Sequence, residues 1–477
     1  MTDRFPVSDE VIRRLKAATG AGGWIEDPDS VAPYVRDQRS LFEGRTPLVL
    51  KPRTVEEVAT IVSICHETLT PIVPQGGNTG LVGGSVPFET GKEVVLSLSK
   101  LNQIRSISPE NNSMAVDAGC ILADIQAAAQ NVDRLFPLSL AAEGSCQIGG
   151  NLSTNAGGTN VLRYGNTRDL VLGLEVVLPT GEIWNGTRAL RKDNTGYALK
   201  HLFIGAEGTL GVITGAVLRL FPKPTDITTA FVAVPSIATA MDLLTEIQNA
   251  TGGQASAFEL ISQFALDLVL AHMPGARAPL ETAARWYVLM EVSTSDGEGS
   301  MRTAVENVIA GALDRGTVVD ATVAHSVAQA AALWHLRETI PEAQTREGAS
   351  IKHDVSVPIA AFAELVERGT AAVMNTVPGA RPCIFGHLGD GNAHFNITQP
   401  SDMAANEFLK KWDEVNRQVH DIAHALGGSI SAEHGLGRLK RDEVLRYKSG
   451  VEINLMRKMK RALDPNNIMN PGKVVDI

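Results

Sequence analysis

Two histidines, His387 and His394, flank a turn built from Gly389, Asp390, Gly391 and Asn392, residue types that accept tight or left-handed backbone. Short apolar runs on either side, Ile384-Phe385 and Phe395-Asn396-Ile397, read as strands. A hairpin of this kind aims both imidazoles into one space, as a divalent transition metal requires. Downstream, Ser431-Ala432-Glu433-His434-Gly435 offers Glu433 as a third ligand. Two imidazoles and one carboxylate leave open coordination positions, as catalytic zinc sites do. His434, beside that ligand, is placed to work as a base. Histidines near a turn serve equally well as surface groups, so spacing alone leaves both readings open.

The elements that must position these groups begin near Pro47, where strand and helix patterns alternate. Leu48-Val49-Leu50 reads as a strand, and Thr54-Val55-Glu56-Glu57 opens a helix like a capping box. The apolar face of that helix runs through Val58, Ile61, Val62 and Cys65. After the strand Ile72-Val73-Pro74 comes Gln75-Gly76-Gly77-Asn78-Thr79-Gly80-Leu81-Val82-Gly83-Gly84-Ser85. Its glycines and hydroxyls expose backbone N–H groups that can surround phosphate oxygens. It matches neither the dinucleotide fingerprint nor the Walker loop, and a plain flexible turn has the same composition. A second stretch, Gly144-Ser145-Cys146-Gln147-Ile148-Gly149-Gly150-Asn151-Leu152-Ser153-Thr154-Asn155-Ala156-Gly157-Gly158, suits close approach of backbone to a flat polar ligand. Together the two loops would let one hold a pyrophosphate and the other line a ring system. A hairpin with its turn at Pro179-Thr180-Gly181 follows, then a polar loop at 191–197 and the mixed segment 202–214.

Composition narrows the classes. A chain of 477 residues exceeds one ordinary core and implies roughly two or three domains. The net charge of -10 gives no basic footprint and argues against nucleic acid. No apolar run is long enough to span a bilayer, and residues 1–6 carry no hydrophobic leader segment, which points to the cytoplasm. Cys65, Cys120, Cys146 and Cys383 lie far apart and read as buried thiols.

The two glycine loops, the 202–214 segment and the histidine hairpin occur in an order that resembles the flavoprotein family named after vanillyl-alcohol oxidase. Within it the chain is similar to the FAD-linked D-2-hydroxyacid dehydrogenases. The stretches Pro74-Gln75-Gly76-Gly77-Asn78-Thr79-Gly80 and Leu190-Arg191-Lys192-Asp193-Asn194-Thr195-Gly196-Tyr197 resemble the branch that oxidises D-2-hydroxyglutarate to 2-oxoglutarate. Members acting on D-lactate, D-malate or glycolate are the alternative. A flavin- and metal-binding protein without turnover is the reading from another class. The resemblance covers about Pro47 to Gly472 and implies an α+β fold. Its parts are an FAD-binding domain of two subdomains over 1–224, with a helical lead-in over 1–45, and an antiparallel-sheet substrate domain with covering helices over 225–430. A C-terminal segment, 431–477, packs near the flavin.

The resemblance implies FAD on Pro74, Gly76, Gly77, Asn78, Thr79, Gly80 and Ser85 through its pyrophosphate. The isoalloxazine would lie near Gly144, Ser145, Gly149, Gly150, Asn151, Ser153, Thr154, Asn155, Gly157 and Gly158, with Glu207, Gly208, Ile213 and Asn470 completing the site. Members that bond flavin covalently carry a histidine or cysteine in the first loop. Residues 75–85 contain neither, so the flavin is expected to be noncovalent. In the second domain, 327–339 reads as an alanine-rich helix that Pro341 ends or bends. Arg337 on that helix and Lys352 after it reach the substrate carboxylates by resemblance, although solvated surface positions are the commoner fate of such cations. Where close relatives place a hydrogen-bonding threonine, four residues after the arginine, this chain has Pro341. Asn396 is read as orienting the substrate, and zinc as the first choice of metal on His387, His394 and Glu433, with manganese, iron or cobalt as alternatives. An electron-transfer flavoprotein or a quinone is the implied electron acceptor, and a homodimer is compatible with the family.

Overall fold

The structure, a computed structural model, describes residues 7–477 except 296 and 298. Residues 1–6, whose lack of an apolar leader entered the reading of location, lie outside the described residues. The chain forms two compact units. Met1–Gly157, Asn166–Lys223 and Glu433–Ile477 make the first, and Gly158–Gly165 with Pro224–Ala432 make the second.

The first unit opens on two helices, Asp9–Thr19 and Pro28–Val35, each capped by its preceding residue. Ser8 and Asp27 accept from backbone N–H groups that the first helical turn would otherwise leave without partners. The strands Trp24–Ile25, Val49–Leu50, Val94–Ser97 and Ile72–Gln75 form one sheet in that order, parallel across the last three. Parallel neighbours need a crossover, and the helix Val55–Thr68 supplies part of it. It buries Val58, Ile61, Val62 and Cys65, the face its spacing predicts. Thr54 Oγ1 accepts from Glu57 N at 3.2 Å, while the Glu57 carboxylate takes Arg53 N at 2.7 Å. A second, antiparallel sheet runs Ile104–Ser108, Ser113–Asp117, Val212–Arg219, Val171–Val177, Ile183–Gly186. The turn expected at Pro179-Thr180-Gly181 closes through Gly181 N to Leu178 O at 2.8 Å.

The end of the chain is stitched into this unit. Ile72 N donates to Ile468 O and Asn470 N to Ile72 O, both at 2.8 Å, so the tail runs beside the strand that launches the first glycine loop. Lys460, 2% exposed, anchors it from the helix Gly450–Leu463. Its Nζ donates to Thr209 O, Met469 O and the Asp464 carboxylate at 2.5–2.8 Å.

The second unit is built on an eight-stranded sheet. Seven strands run Asp320–Val323, Asp226–Val234, Trp286–Thr294, Ala255–Ser262, Arg381–His387, Asn392–Thr398, Ser350–Ile351, and Asp354–Ser356 pairs with Asn392–Thr398. Period-2 alternation sends neighbouring residues to opposite faces, and both faces are covered. Phe258, Leu260, Val288, Met290, Ile384 and Phe395 pack on one side with the helices Ile237–Ala250, Phe362–Thr376 and Trp412–Ala425. Ile261, Tyr287, Leu289, Cys383 and Phe385 pack on the other with Gln263–His272, Val327–Glu338 and Ile340–Glu347. Pro341 sits in the first turn of the last helix, where a missing N–H costs nothing, and the preceding helix stops at Glu338. Near the end of this unit the helices Ala405–Leu409 and Trp412–Ala425 follow one another closely, with Lys411 N donating to Phe408 O across the break.

Candidate active site

In the second unit the strands Arg381–His387 and Asn392–Thr398 form the hairpin read from sequence, joined by 388–391. Its turn closes with Asp390 N and Gly391 N both donating to His387 O, at 3.2 and 3.1 Å. Gly391 has φ +83°, and a Cβ there would stand 2.1 Å from Val357 O, so no other residue fits. The register pairs Phe385 with His394, Cys383 with Asn396, and Glu259 of the next strand with His387. His387, His394, Asn396 and Glu259 therefore share one sheet face, the face that Val327–Glu338 and Ile340–Glu347 cover. The two imidazole centroids are 5.5 Å apart and nearly perpendicular.

Glu259 organises this face, and the sequence reading did not single it out. It is fully buried, and its carboxylate accepts from His387 Nδ1 at 2.7 Å and from Arg337 Nε at 2.8 Å. Burial alone would raise its pKa, but the neighbouring His387 and Arg337, both bonded to it, overcome this and hold it at about 2. Arg337 is itself only 6% exposed, with its guanidinium 4.9 Å from the Phe385 ring centroid. Asn396 is engaged at both ends of its amide. Its Nδ2 donates to Gln344 Oε1 at 3.0 Å and its Oδ1 accepts from His353 N at 3.2 Å. Lys352 is half-buried one residue past the strand Ser350–Ile351; burial pushes the Cys383 thiol pKa up, and the Lys352 charge offsets part of that rise. Ala432 N donates to Asp354 O at 3.2 Å, and Asp354 pairs with His394. Glu433 and His434 are the next residues along the chain, the first of the final segment of the other unit.

The first unit brings the two glycine loops together. A Cβ on Gly77 would lie 2.1 Å from Ser145 O, so the loops touch backbone to backbone. Gln75 Nε2 donates to Tyr34 O and Ser85 O, and Asn78 is held at φ +53° by bonds from Nδ2 to Pro33 O and Arg36 O. Ser85 Oγ donates to Asn78 Oδ1 at 2.8 Å. The short helix Ile148–Thr154 receives Gly205 N on Leu152 O and Glu207 N on Ser153 O. Glu207 in turn accepts from Leu436 N and Gly437 N at 2.7 and 2.9 Å. Burial raises its carboxyl to about 7, against the lowering effect of those two N–H groups. Gly208 packs against the Pro74 ring, and Asn470 Nδ2 donates to Gly84 O and Glu207 O. Thus Pro74, Ser85, Gly144 to Leu152, Glu207, Gly208 and Asn470 belong to one neighbourhood.

Other residues named from the sequence turn inward or away. Ser153 and Thr154 hydroxyls donate to Gly149 O and Gly150 O of their own helix, and Asn155 Oδ1 accepts from Arg168 N. Ile213 is buried in a strand. Gly157 closes one segment of the first unit and Gly158 opens a segment of the second.

This neighbourhood fits a flavin dinucleotide by two observations. Beside Gly80, Gly144 and Gly150 an added Cβ would meet nothing within 4 Å, so backbone faces open space. Gln147 Oε1 and Asn470 Oδ1 are buried acceptors without a hydrogen-bond partner, which the ribityl hydroxyls and ring N–H of a flavin would satisfy.

Comparison with known proteins agrees. A family described as an FAD binding domain matches residues 46–187, and one described as FAD linked oxidases, C-terminal domain, matches 223–474. D-2-hydroxyglutarate dehydrogenase of Arabidopsis thaliana is 38% identical over 97% of this chain and 80% of its own length. That of Bos taurus is 40% identical, over 98% and 84%. That of Xanthomonas citri pv. viticola is 37% identical over 98% of both chains. The chain belongs to the D-2-hydroxyglutarate dehydrogenase family. It is an FAD-linked hydroxyacid dehydrogenase. The fold is that of the vanillyl-alcohol-oxidase type: p-cresol methylhydroxylase superposes with TM-score 0.77 at 18% identity, covering 98% of this chain and 96% of that one.

One expectation is overturned. The Arabidopsis, cattle, zebrafish and rat relatives are named mitochondrial, which conflicts with the cytoplasmic reading. That reading asked only for a hydrophobic leader, whereas mitochondrial leaders are amphipathic, arginine-rich and not detected by apolar length. No helix among the described residues is long and apolar enough to cross a membrane.

Proposed function

We infer that the protein oxidises D-2-hydroxyglutarate to 2-oxoglutarate with noncovalent FAD and a divalent metal, zinc being the first choice. The observation that carries this reading is the sheet face that gathers His387, His394 and Asn396 beneath a buried arginine, Arg337. Its relatives' names supply the substrate. FAD, when bound, takes the α-hydride. A metal on His387, His394 and Glu433 would lower the pKa of the substrate hydroxyl by its charge. In support, His387 commits Nδ1 to Glu259, which makes Nε2 the ligating atom. Glu433 follows directly on a residue bonded beside His394.

His434 accepts the hydroxyl proton, since an ordinary imidazole titrates near neutrality. Arg337 and Lys352 neutralise carboxylates. Glu259 already balances the Arg337 charge, so it is the number of donors that Arg337 and Lys352 offer beside a metal, more than a monocarboxylate needs, that favours a diacid over D-lactate or glycolate. Pro341, lacking a hydroxyl, leaves D-malate as a competing diacid. An electron-transfer flavoprotein or a quinone reoxidises the flavin. The test is a screen of D-2-hydroxyglutarate, D-malate, D-lactate, glycolate and the L forms with an artificial acceptor. Fastest flavin reduction by D-2-hydroxyglutarate is expected, and preference for D-lactate over both diacids would overturn the reading.

A further inference from the structure

The Glu259 carboxylate bridges His387, read above as a metal ligand, and Arg337, read as a substrate anchor. Its Oε1 meets His387 Nδ1 at 2.7 Å, and its Oε2 meets both Nε and Nη2 of Arg337 at 2.8 Å. All three side chains are at most 8% exposed, so water does not compete for these bonds. A carboxylate only accepts, so the proton on His387 sits on Nδ1 and the Nε2 lone pair points the other way. The guanidinium is fixed from two directions, by Glu259 along its Nε edge and by the Phe385 ring 4.9 Å from its centre. Nη1 takes no part in that ion pair.

We propose that Glu259 is a positioning residue that sets the ligating tautomer of His387 and, through the same carboxylate, the orientation of Arg337, so that metal site and substrate anchor are coupled. This rests on the metal reading of His387. Partners that orient a ligating histidine change metal affinity by about 10–100-fold when removed. A glutamine at this position keeps the volume but turns a donor toward one of two donors, so one bond is lost and the charge is gone.

The experiment compares wild type, Glu259→Gln and His387→Ala as FAD-loaded full chains. Zinc affinity is read by competition with a chelating dye, and the flavin spectrum reports integrity. Expected is about 10–100-fold weaker zinc binding in Glu259→Gln, with an unchanged flavin spectrum and a raised KM for D-2-hydroxyglutarate. To keep the test independent of the variant's folding, ¹⁵N NMR of histidine-labelled, zinc-loaded wild type gives a second reading. There His387 should carry its proton on Nδ1. Unchanged zinc affinity in a folded Glu259→Gln, or an Nε2-protonated His387, overturns the proposal. If His387→Ala binds zinc as wild type does, the metal reading falls and the proposal with it. If His387→Ala loses zinc while Glu259→Gln keeps it, only the proposal falls.

Discussion

Replacing Arg337 by alanine tests the substrate assignment, but the structure shows that the raw loss of activity would mislead. Arg337 is 6% exposed and pairs with Glu259, which is fully buried. Removing one partner of such a pair leaves a buried charge uncompensated and costs about 3–5 kcal/mol of stability. For a domain of this size that lowers the melting temperature by about 6–20 °C. His387, on the other carboxylate oxygen, can shift as well, so part of any lost activity belongs to the metal site. The discriminating quantity is a ratio within one variant. Losing a buried charge-paired contact costs roughly 2–5 kcal/mol, so kcat/KM for D-2-hydroxyglutarate should fall by about thirty-fold to several thousand-fold. D-Lactate has no distal carboxylate and carries only the shared, structural part of the loss. Steady-state kinetics on both substrates, at a temperature well below the variant's melt, give the ratio directly. A selective loss on the diacid of thirty-fold or more is expected. An equal loss on both substrates would refute the distal role, leaving Arg337 to the carboxylate beside the reacting carbon or to holding Glu259 alone.

Acid or heat should release free FAD into the supernatant, because residues 75–85 offer no histidine or cysteine; flavin remaining on the denatured chain contradicts this. Exhaustive chelation should abolish turnover while leaving the flavin spectrum intact, and a His387→Ala variant with full activity and metal content would show the site to be misassigned. Lys460→Met strips a buried ammonium from Asp464, Thr209 O and Met469 O; it should cost about 3–5 kcal/mol and weaken FAD retention, whereas an unchanged melt and flavin content count against the stitching role. Glu207 holds its proton more tightly in the folded state, its carboxyl being raised from 4.5 to about 7, so its contribution to stability is full below 4.5 and is lost as pH rises through 7. Glu207→Gln should flatten that decline in melting temperature, and parallel curves for wild type and variant between those pH values would refute it.

What the sequence discloses and what it hides follow from how each group is held. The glycine loops were legible because close backbone approach leaves only glycine at positions such as Gly77, and the hairpin because Gly391 demands a left-handed turn. Asn396, Ser153, Thr154 and Asn155 were legible only as polar residues in the right stretches. Their bonding to Gln344, to their own helix or to Arg168 N depends on neighbours that no local pattern names. Glu259 left a trace that period-based reading passes over. It is the lone charge in the strand Ala255–Ser262, whose other residues are apolar or small and whose eight positions are all buried. A charge there is tolerated only with partners, so the trace announces a buried pair without naming the far ends, Arg337 and His387, which reach it through strand register and a covering helix. The same register makes the arrangement vulnerable in a specific way. A one-residue slip of Arg381–His387 against Ala255–Ser262 would send His387 to the opposite face, among Phe258 and Leu260. The Ile384 N to Ser262 Oγ bond and the paired Ile261 and Phe385 resist that slip, so the chemistry of this face is carried by apolar residues that take no part in it.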